Sequence, residues 1–132
     1  MAGYGMEIVI KGDLEEVKGK VMEALKAQGF GVVTEIDMQK TLKQKLDVDF
    51  MPYLILGACN PRYAYRALST DHSIGLLLPC NVVIRQEGDG VYISIQDPEV
   101  MFSVVDEKAR QSMIGFPQEV KKSLRLVLDA LK

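Results

Sequence analysis

The sequence predicts an α+β fold, a two-layer sandwich in which helices cover one face of a mainly antiparallel sheet of about five strands. Three observations predict it. Residues 14–28 have the apolar spacing of an amphipathic helix, Gly88-Asp89-Gly90 is a glycine-rich hairpin turn, and Pro117 opens a C-terminal helix with a regular apolar face. The hairpin indicates an antiparallel component, because a tight turn joins antiparallel strands.

The first half of the chain alternates strands and helices. Residues 4–10 predict a strand, and Asp13 is a typical N-cap for the helix that follows. That helix is indicated by four apolar residues at helical spacing, Leu14, Val17, Val21 and Leu25. Gly29 stands where a left-handed residue commonly ends a helix. Residues 31–37 then predict a second strand and residues 38–46 a short amphipathic helix.

The second half begins with a third, well-buried strand over residues 53–56 that runs into Gly57-Ala58-Cys59-Asn60-Pro61. Asn60 is a favourable N-cap and Pro61 a favourable first residue of a third helix, whose inward stripe is expected at Ala64 and Leu68. The last strands and a stretch of helical turns are predicted at 80–85, 91–95 and 98–113. The expected order is β-α-β-α-β-α-β-β-α, in one domain over residues 1–132.

Composition excludes several functional classes. The 132 residues are 48% hydrophobic and 26% charged, which is ordinary for a globular domain, and the formal charge of −2 gives no basic excess for nucleic acid. The apolar runs, such as residues 74–78, are far shorter than the roughly 20 residues that cross a bilayer. The first residues lack the regions of a signal peptide. We therefore expect a cytoplasmic protein with neither nucleic-acid nor membrane partners.

Two cysteines, each followed by asparagine, are the most informative candidates: Cys59-Asn60 and Cys80-Asn81. One hypothesis is a thiol pair that faces one pocket and holds a soft metal or cycles between thiol and disulfide, with the helix N-terminus favouring the Cys59 thiolate. The alternative is two small buried residues, with Asn60 as a helix cap and Asn81 satisfying loop backbone. We expect both thiols to be reduced. Two thiolates supply only two of the four ligands that a zinc site requires, so no metal site is predicted.

Other polar residues near these segments each allow a functional and an ordinary interpretation. His72, the one histidine, lies beside Asp71 and suits a general base or third metal ligand, or an exposed loop. Arg62 and Arg66 lie one helical turn apart and suit a pocket for an anionic or planar ligand, or a solvated helix face. Three tyrosines flank the same segment: Tyr53, Tyr63 and Tyr65. Met101 is interpreted as core filler.

Several segments together resemble the bacterial and archaeal domain-of-unknown-function family 302. They are Ile55-Leu56-Gly57-Ala58-Cys59-Asn60-Pro61, residues 74–83 with Pro79-Cys80-Asn81, Thr34-Glu35-Ile36-Asp37, Thr41-Leu42-Lys43 and Asp97-Pro98. The resemblance covers nearly the whole chain. It implies a compact α+β domain, often a dimer, and implies no established activity.

The predicted function is a non-catalytic small-ligand-binding or regulatory domain that acts as a homodimer, with no cofactor identified. Its candidate ligand-binding residues are Cys59, Asn60, Arg62, His72, Cys80 and Asn81. One alternative is a thiol-dependent enzyme or redox sensor that uses Cys59 or Cys80, and another is a purely structural interaction module. If the strands that carry the two cysteines are antiparallel neighbours, both cysteines lie at one end of the sheet; if parallel, they lie at opposite ends.

Overall fold

The computed structural model describes residues 3–132 and has the predicted α+β architecture. The strands are β1 (Gly5–Lys11), β2 (Gly31–Asp37), β3 (Tyr53–Cys59), β4 (Cys80–Glu87) and β5 (Gly90–Gln96). The α-helices are α1 (Leu14–Ala27), α2 (Met38–Leu46), α3 (Pro61–Thr70), α4 (Pro98–Met101), α5 (Glu107–Ser112) and α6 (Phe116–Leu131). Two 3₁₀ helices span His72–Leu77 and Phe102–Val104. Within residues 3–132, no helix combines the length and apolar character needed to cross a membrane.

The five strands form one sheet in the order β1-β5-β4-β3-β2, and every neighbouring pair is antiparallel. The prediction of a mainly antiparallel sheet is confirmed. The main difference is the length of β3, which continues from the predicted residues 53–56 to Cys59 because Gly57 and Ala58 pair with both neighbouring strands. The β4–β5 hairpin turns at Gly88, whose φ of 63° is a left-handed conformation that favours glycine.

The core lies between one face of the sheet and the layer formed by α1, α3 and α6. Alternate residues of β4 and β5 point into it and are fully buried: Val82, Ile84, Val91, Ile93 and Ile95. They meet the apolar stripes of α1 and α6, among them Val21, Leu25, Leu124 and Val127. Each such side chain contributes about 1.5–3 kcal/mol when it leaves water, so this layer of contacts determines how the helices sit on the sheet.

The predicted helix ends are largely confirmed. The Asp13 carboxylate accepts a hydrogen bond from the Glu16 amide at 3.4 Å, and Gly29 follows α1 in the left-handed region with φ of 84°. Helix α6 begins one residue before the predicted Pro117, directly after a left-handed Gly115. The predicted inward stripe of α3 is wrong in detail, because Ala67 is its buried residue.

Asp97 ties the segment after β5 to the helical layer. Its carboxylate is buried and pairs with the Lys121 ammonium group of α6 at 2.8 Å. A second carboxylate oxygen accepts the Glu99 amide at 2.9 Å, which caps α4. The hydrogen bond that the Lys121 ammonium group donates to Asp97 raises the pKa of Lys121, so this ammonium group stays charged at neutral pH. A buried carboxylate must be paired, and this pairing holds α4 close to α6.

We expect Gly57→Ala to destabilise the protein by about 1–3 kcal/mol, because a Cβ there would overlap the Thr34 hydroxyl and lie 2.7 Å from Cγ of Pro79. Urea unfolding measures the change in free energy. The matched control is Gly19→Ala on the exposed side of α1, where a new Cβ meets nothing within 4 Å. That control should stabilise by about 0.4–1 kcal/mol. Equal effects of both substitutions would contradict the proposed close contact.

Candidate functional site

A cavity of about 220 Å³ lies where the sheet ends beneath α3 and α6. Its wall is overwhelmingly apolar. Four aromatic side chains contribute to it, Phe30, Tyr63, Phe102 and Phe116. Small side chains open the space on the strand and helix sides, namely Ala58, Ala64 and Ala67. Because four different elements and their connections supply these groups, the cavity is a product of the tertiary fold and corresponds to no single motif.

Both cysteines line this cavity. The antiparallel register of β3 and β4 sets Ala58 opposite Cys80, so Cys59 is one residue from that pair. Strand spacing and the length of one Cα step then place the two cysteine Cα atoms about 6 Å apart. Both thiols are free and half-buried. The structure therefore has the antiparallel arrangement, in which Cys59 and Cys80 lie at the same end of the sheet.

The environment of Cys80 disfavours its thiolate form. Burial, and to a smaller extent the neighbouring Cys59, raise the pKa of the Cys80 thiol to about 11, and a hydrogen bond with Gln96 opposes this rise. Cys80 is therefore a neutral thiol at pH 7. A neutral thiol is a poor nucleophile, which weighs against Cys80 as the attacking residue of a thiol-dependent enzyme.

Asn60 contributes to the cavity wall, but its polar atoms bind the backbone. Its Oδ1 accepts hydrogen bonds from the amides of Arg62 and Tyr63 at 3.1 and 3.4 Å, and thereby caps α3. Its Nδ2 donates to the carbonyl of Gln28 at 3.4 Å. The side chain thus joins the start of α3 to the turn after α1, and positions the helix that covers the cavity.

The aromatic side of the cavity is fixed by ring packing. Tyr63 meets Phe116 edge to face at a centroid distance of 5.8 Å, and Phe102 stacks on Phe116 at 5.6 Å. The Tyr63 hydroxyl and Ser123 Oγ form a hydrogen bond of 2.9 Å. The Arg66 guanidinium group lies 4.9 Å from the Phe116 centroid, on the solvent side of α3. These contacts hold the wall in one arrangement.

The other three predicted site residues lie away from the cavity wall. Arg62 is exposed on the first turn of α3, and His72 is exposed at the start of the 3₁₀ helix. Asn81 is exposed on the opposite face of the sheet, where it borders a separate shallow groove. The structure therefore brings together Cys59, Asn60 and Cys80.

The opposite face of the sheet, turned away from α1, α3 and α6, carries a charged network. Glu7 accepts a hydrogen bond from Ser94 Oγ at 2.5 Å, which lowers the pKa of Glu7, and Arg85 lies 3.4 Å from the same carboxylate. Arg85 also pairs with Glu87 at 2.8 Å and covers the ring of Tyr92 at 4.4 Å. Every charged group of this network has a partner, which is typical of a structural cluster.

Sequence reasoning missed Gln96 and Met101 as cavity residues. Gln96 ends β5 and Met101 ends α4, so both lie far along the chain from Cys59. Met101 has an apolar side chain in a segment without clear periodicity, and nothing in its spacing separates it from ordinary core methionines. Both residues reach the cavity because β5 ends, and α4 follows, at the end of the sheet that carries the cysteines.

The fold and the cavity define a small α+β sandwich with an apolar site at one end of an antiparallel sheet. The chain belongs to the family described as domain of unknown function DUF302, whose model matches residues 6–131. A solved structure of an uncharacterized conserved DUF302 protein from Bacillus stearothermophilus is similar, with 27% identity and a TM-score of 0.87. The match covers 99% of this chain and 100% of that one. No curated protein matches the chain. The resemblance noted in the sequence is thus confirmed.

We expect the Cys80 thiol to react slowly with iodoacetamide in the folded protein. With a pKa of about 11, roughly 0.1% of the group is thiolate at pH 8, and the reaction rate should still rise at pH 10. A Cys59→Ser variant isolates Cys80, and mass spectrometry measures the rate of alkylation. The control is the same variant in urea, which exposes the thiol. Equal rates with and without urea at pH 8 would contradict the inferred environment.

Proposed function

We propose that the protein is a non-catalytic domain that binds a small apolar molecule in the cavity lined by Cys59 and Cys80. The observation that carries the proposal is a preformed, largely apolar space of about 220 Å³ at the end of the sheet. Apolar cavities of about 150 Å³ bind benzene in other proteins, so this volume suits a ligand of about ten non-hydrogen atoms. A two-ring aromatic compound or a short acyl chain has this size.

The polar groups of the wall indicate a neutral ligand. Gln96 and the two thiols offer neutral hydrogen-bonding atoms, whereas the charged side chain of Arg62 is exposed on α3 outside the wall. A charged ligand would leave water for an apolar site without a partner of opposite charge, which costs several kcal/mol. A mostly apolar molecule with one neutral polar end therefore fits best.

The alternative of a thiol-dependent enzyme or redox sensor has weaker support. Two adjacent thiols favour this alternative, but burial keeps the Cys80 thiol protonated. His72, which the sequence suggests as a general base, is exposed and lies outside the cavity wall. A purely structural interaction module would leave the cavity next to both cysteines without a role. Ligand binding accounts for the cavity, for its small-residue lining and for the position of both thiols.

We also propose that the chain forms a symmetric homodimer through the sheet face opposite α1, α3 and α6. This face contains apolar side chains among its polar ones, with Val9 52% exposed and Ile36 45% exposed. Its charged groups include Glu7, Glu87 and Arg85. A two-fold axis sets each group against the same surface of a second copy, so a face with both signs of charge is able to complement itself.

We expect naphthalene, used as the test ligand, to raise the melting temperature of the protein in proportion to the logarithm of its concentration. Ala64→Leu should abolish this rise, because the larger side chain occupies cavity volume. The matched control is Ala130→Leu, on the exposed side of α6. It should leave the response unchanged. The same rise in Ala64→Leu as in the unmodified protein, or no rise with naphthalene, indole and octanol alike, would overturn the proposed site.

For the dimer, light scattering should give a mass of twice the 14.7 kDa chain. Val83→Lys places a charge at the centre of the proposed interface, since Val83 pairs with Ile55 and Ser94 in the middle of the sheet. We expect this variant to weaken association by at least about 2 kcal/mol, because it buries a charge. Val104→Lys, at a position 72% exposed in the 3₁₀ turn after α4, is the control. A monomer mass for the unmodified protein at all concentrations would contradict the dimer.

A further inference from the structure

A second depression lies on the outer face of the sheet, the face turned away from α1, α3 and α6. It is the groove that Asn81 borders, and its volume is about 480 Å³. Two residues line both this groove and the apolar cavity: Gln96 at the end of β5 and Met101 at the end of α4. The cavity and the groove therefore meet at the end of the sheet where Gln96 and Met101 lie.

The strand register explains why the two spaces meet there. Cys80 and Asn81 are consecutive residues of β4, so their side chains point to opposite faces of the sheet, and Cys80 lines the cavity while Asn81 lines the groove. Gln96 borders the groove, and its side chain also forms a hydrogen bond with Cys80. Gly5, the partner of Gln96 on β1, has no side chain and leaves this end of the groove open.

The groove is polar where the cavity is apolar. Glu7 accepts a hydrogen bond from Ser94 and lies 3.4 Å from Arg85, and the two charged side chains are only 18% and 24% exposed. A head group with a net charge would meet a like charge here, whereas hydroxyl groups donate to the Glu7 carboxylate and accept from the Arg85 guanidinium group. The exposed amide of Asn81 both donates and accepts. The groove therefore suits a neutral head group with several hydroxyls.

We propose that the ligand is an amphiphile with a neutral polyhydroxyl head group, whose apolar tail fills the cavity and whose head group passes Gln96 and Met101 into the groove. Both of these side chains are unbranched and rotate about several bonds, so they are able to move aside without a change in the sheet. An alkyl chain of about eight carbon atoms fits the volume of about 220 Å³. The inference rests on the proposed function, because it names the class of ligand that binds in that cavity.

Octyl β-glucoside, used below its micelle concentration, tests the proposal, with octanol as a probe that has the same tail and one hydroxyl. In NMR spectra of the isotope-labelled full chain, octanol should shift the methyl signals of Ala58 and Ala67 in the cavity wall. Octyl β-glucoside should shift these signals and also the backbone amide signals of Asn81 and Ser94 in the groove. The groove lies in the face proposed for the dimer, where a head group and a second copy compete, so the protein is kept dilute.

Substitutions separate the two halves of the site. Asn81→Ala should weaken the binding of octyl β-glucoside about 3- to 10-fold, because the head group loses a hydrogen bond, and should leave octanol binding unchanged. Ala64→Leu reduces the cavity volume and should weaken the binding of both compounds. The matched control is Gln44→Ala, which removes an exposed amide from α2, outside the walls of the cavity and the groove. It should change neither affinity, and circular dichroism checks that each variant is folded.

The outcomes distinguish this inference from the proposed function. If octyl β-glucoside shifts the cavity signals alone, or binds Asn81→Ala as tightly as the unmodified protein, the inference is overturned while the proposed function stands. Shifts in the groove alone also overturn the inference, because the tail then lies outside the cavity. If octanol, naphthalene and octyl β-glucoside all leave the cavity signals unchanged, the proposed function fails and the inference fails with it.

Discussion

The antiparallel pairing of β3 with β4 determines where the cavity forms and what lines it. Because Ala58 pairs with Cys80, the end of β3 and the start of β4 lie at the same end of the sheet. The connection between them must therefore leave that end and return to it. It does so as α3 and the 3₁₀ helix at His72–Leu77, which arch over the end of the sheet. An arch that starts and finishes on neighbouring strands encloses space, and here that space is the cavity.

Gly57, near the end of β3 that borders the cavity, allows β2 and the segment before β4 to pack closely against β3. Gly57 pairs with Thr34 of β2 and with Asn81 of β4, and a side chain at Gly57 would collide with Thr34 and Pro79. The register of β2 shifts between Val32 and Thr34, which turns the Thr34 side chain towards Gly57. The glycine thus permits the bulge of β2 and the approach of Pro79 together. The chain before β4 is held in place by that contact, and Cys80 follows directly.

Much of the fold was predictable from the sequence because its signals are local. The stripe of α1, the cap at Asn60 and the glycine turn at Gly88 depend on residues close together in the chain, and all three are as expected. The candidate site was predictable to the level of the two cysteines and Asn60. Met101 and Gln96 were not, because their place in the wall depends on contacts between distant parts of the chain, such as the pairing of Gln96 with Gly5 and the ion pair between Asp97 and Lys121.

The sequence identifies the two cysteines, but it does not determine the protonation state of their thiols. The sequence offered a helix N-terminus beside Cys59 as a reason for a reactive thiolate, whereas the structure shows that burial is the dominant influence on its neighbour Cys80. Burial depends on the residues that cover a position, and here these come from α3, α4 and α6. Local sequence carries no information about that cover, so the charge state of a thiol follows from the tertiary fold.

The size of the cavity is itself an argument for an occupant. Unfilled apolar volume costs about 24 cal/mol per Å³, so an empty and closed space of 220 Å³ would cost up to about 5 kcal/mol. That is comparable to the whole stability of a marginally stable domain, about 5–15 kcal/mol. Contact with solvent reduces this cost, yet replacing Ala64 with leucine would remove much of it. Alanine at positions 58, 64 and 67 keeps the space open. The three alanines leave this space beside the aromatic rings and the two cysteines, and the cavity thereby supports the proposed binding of a small apolar molecule.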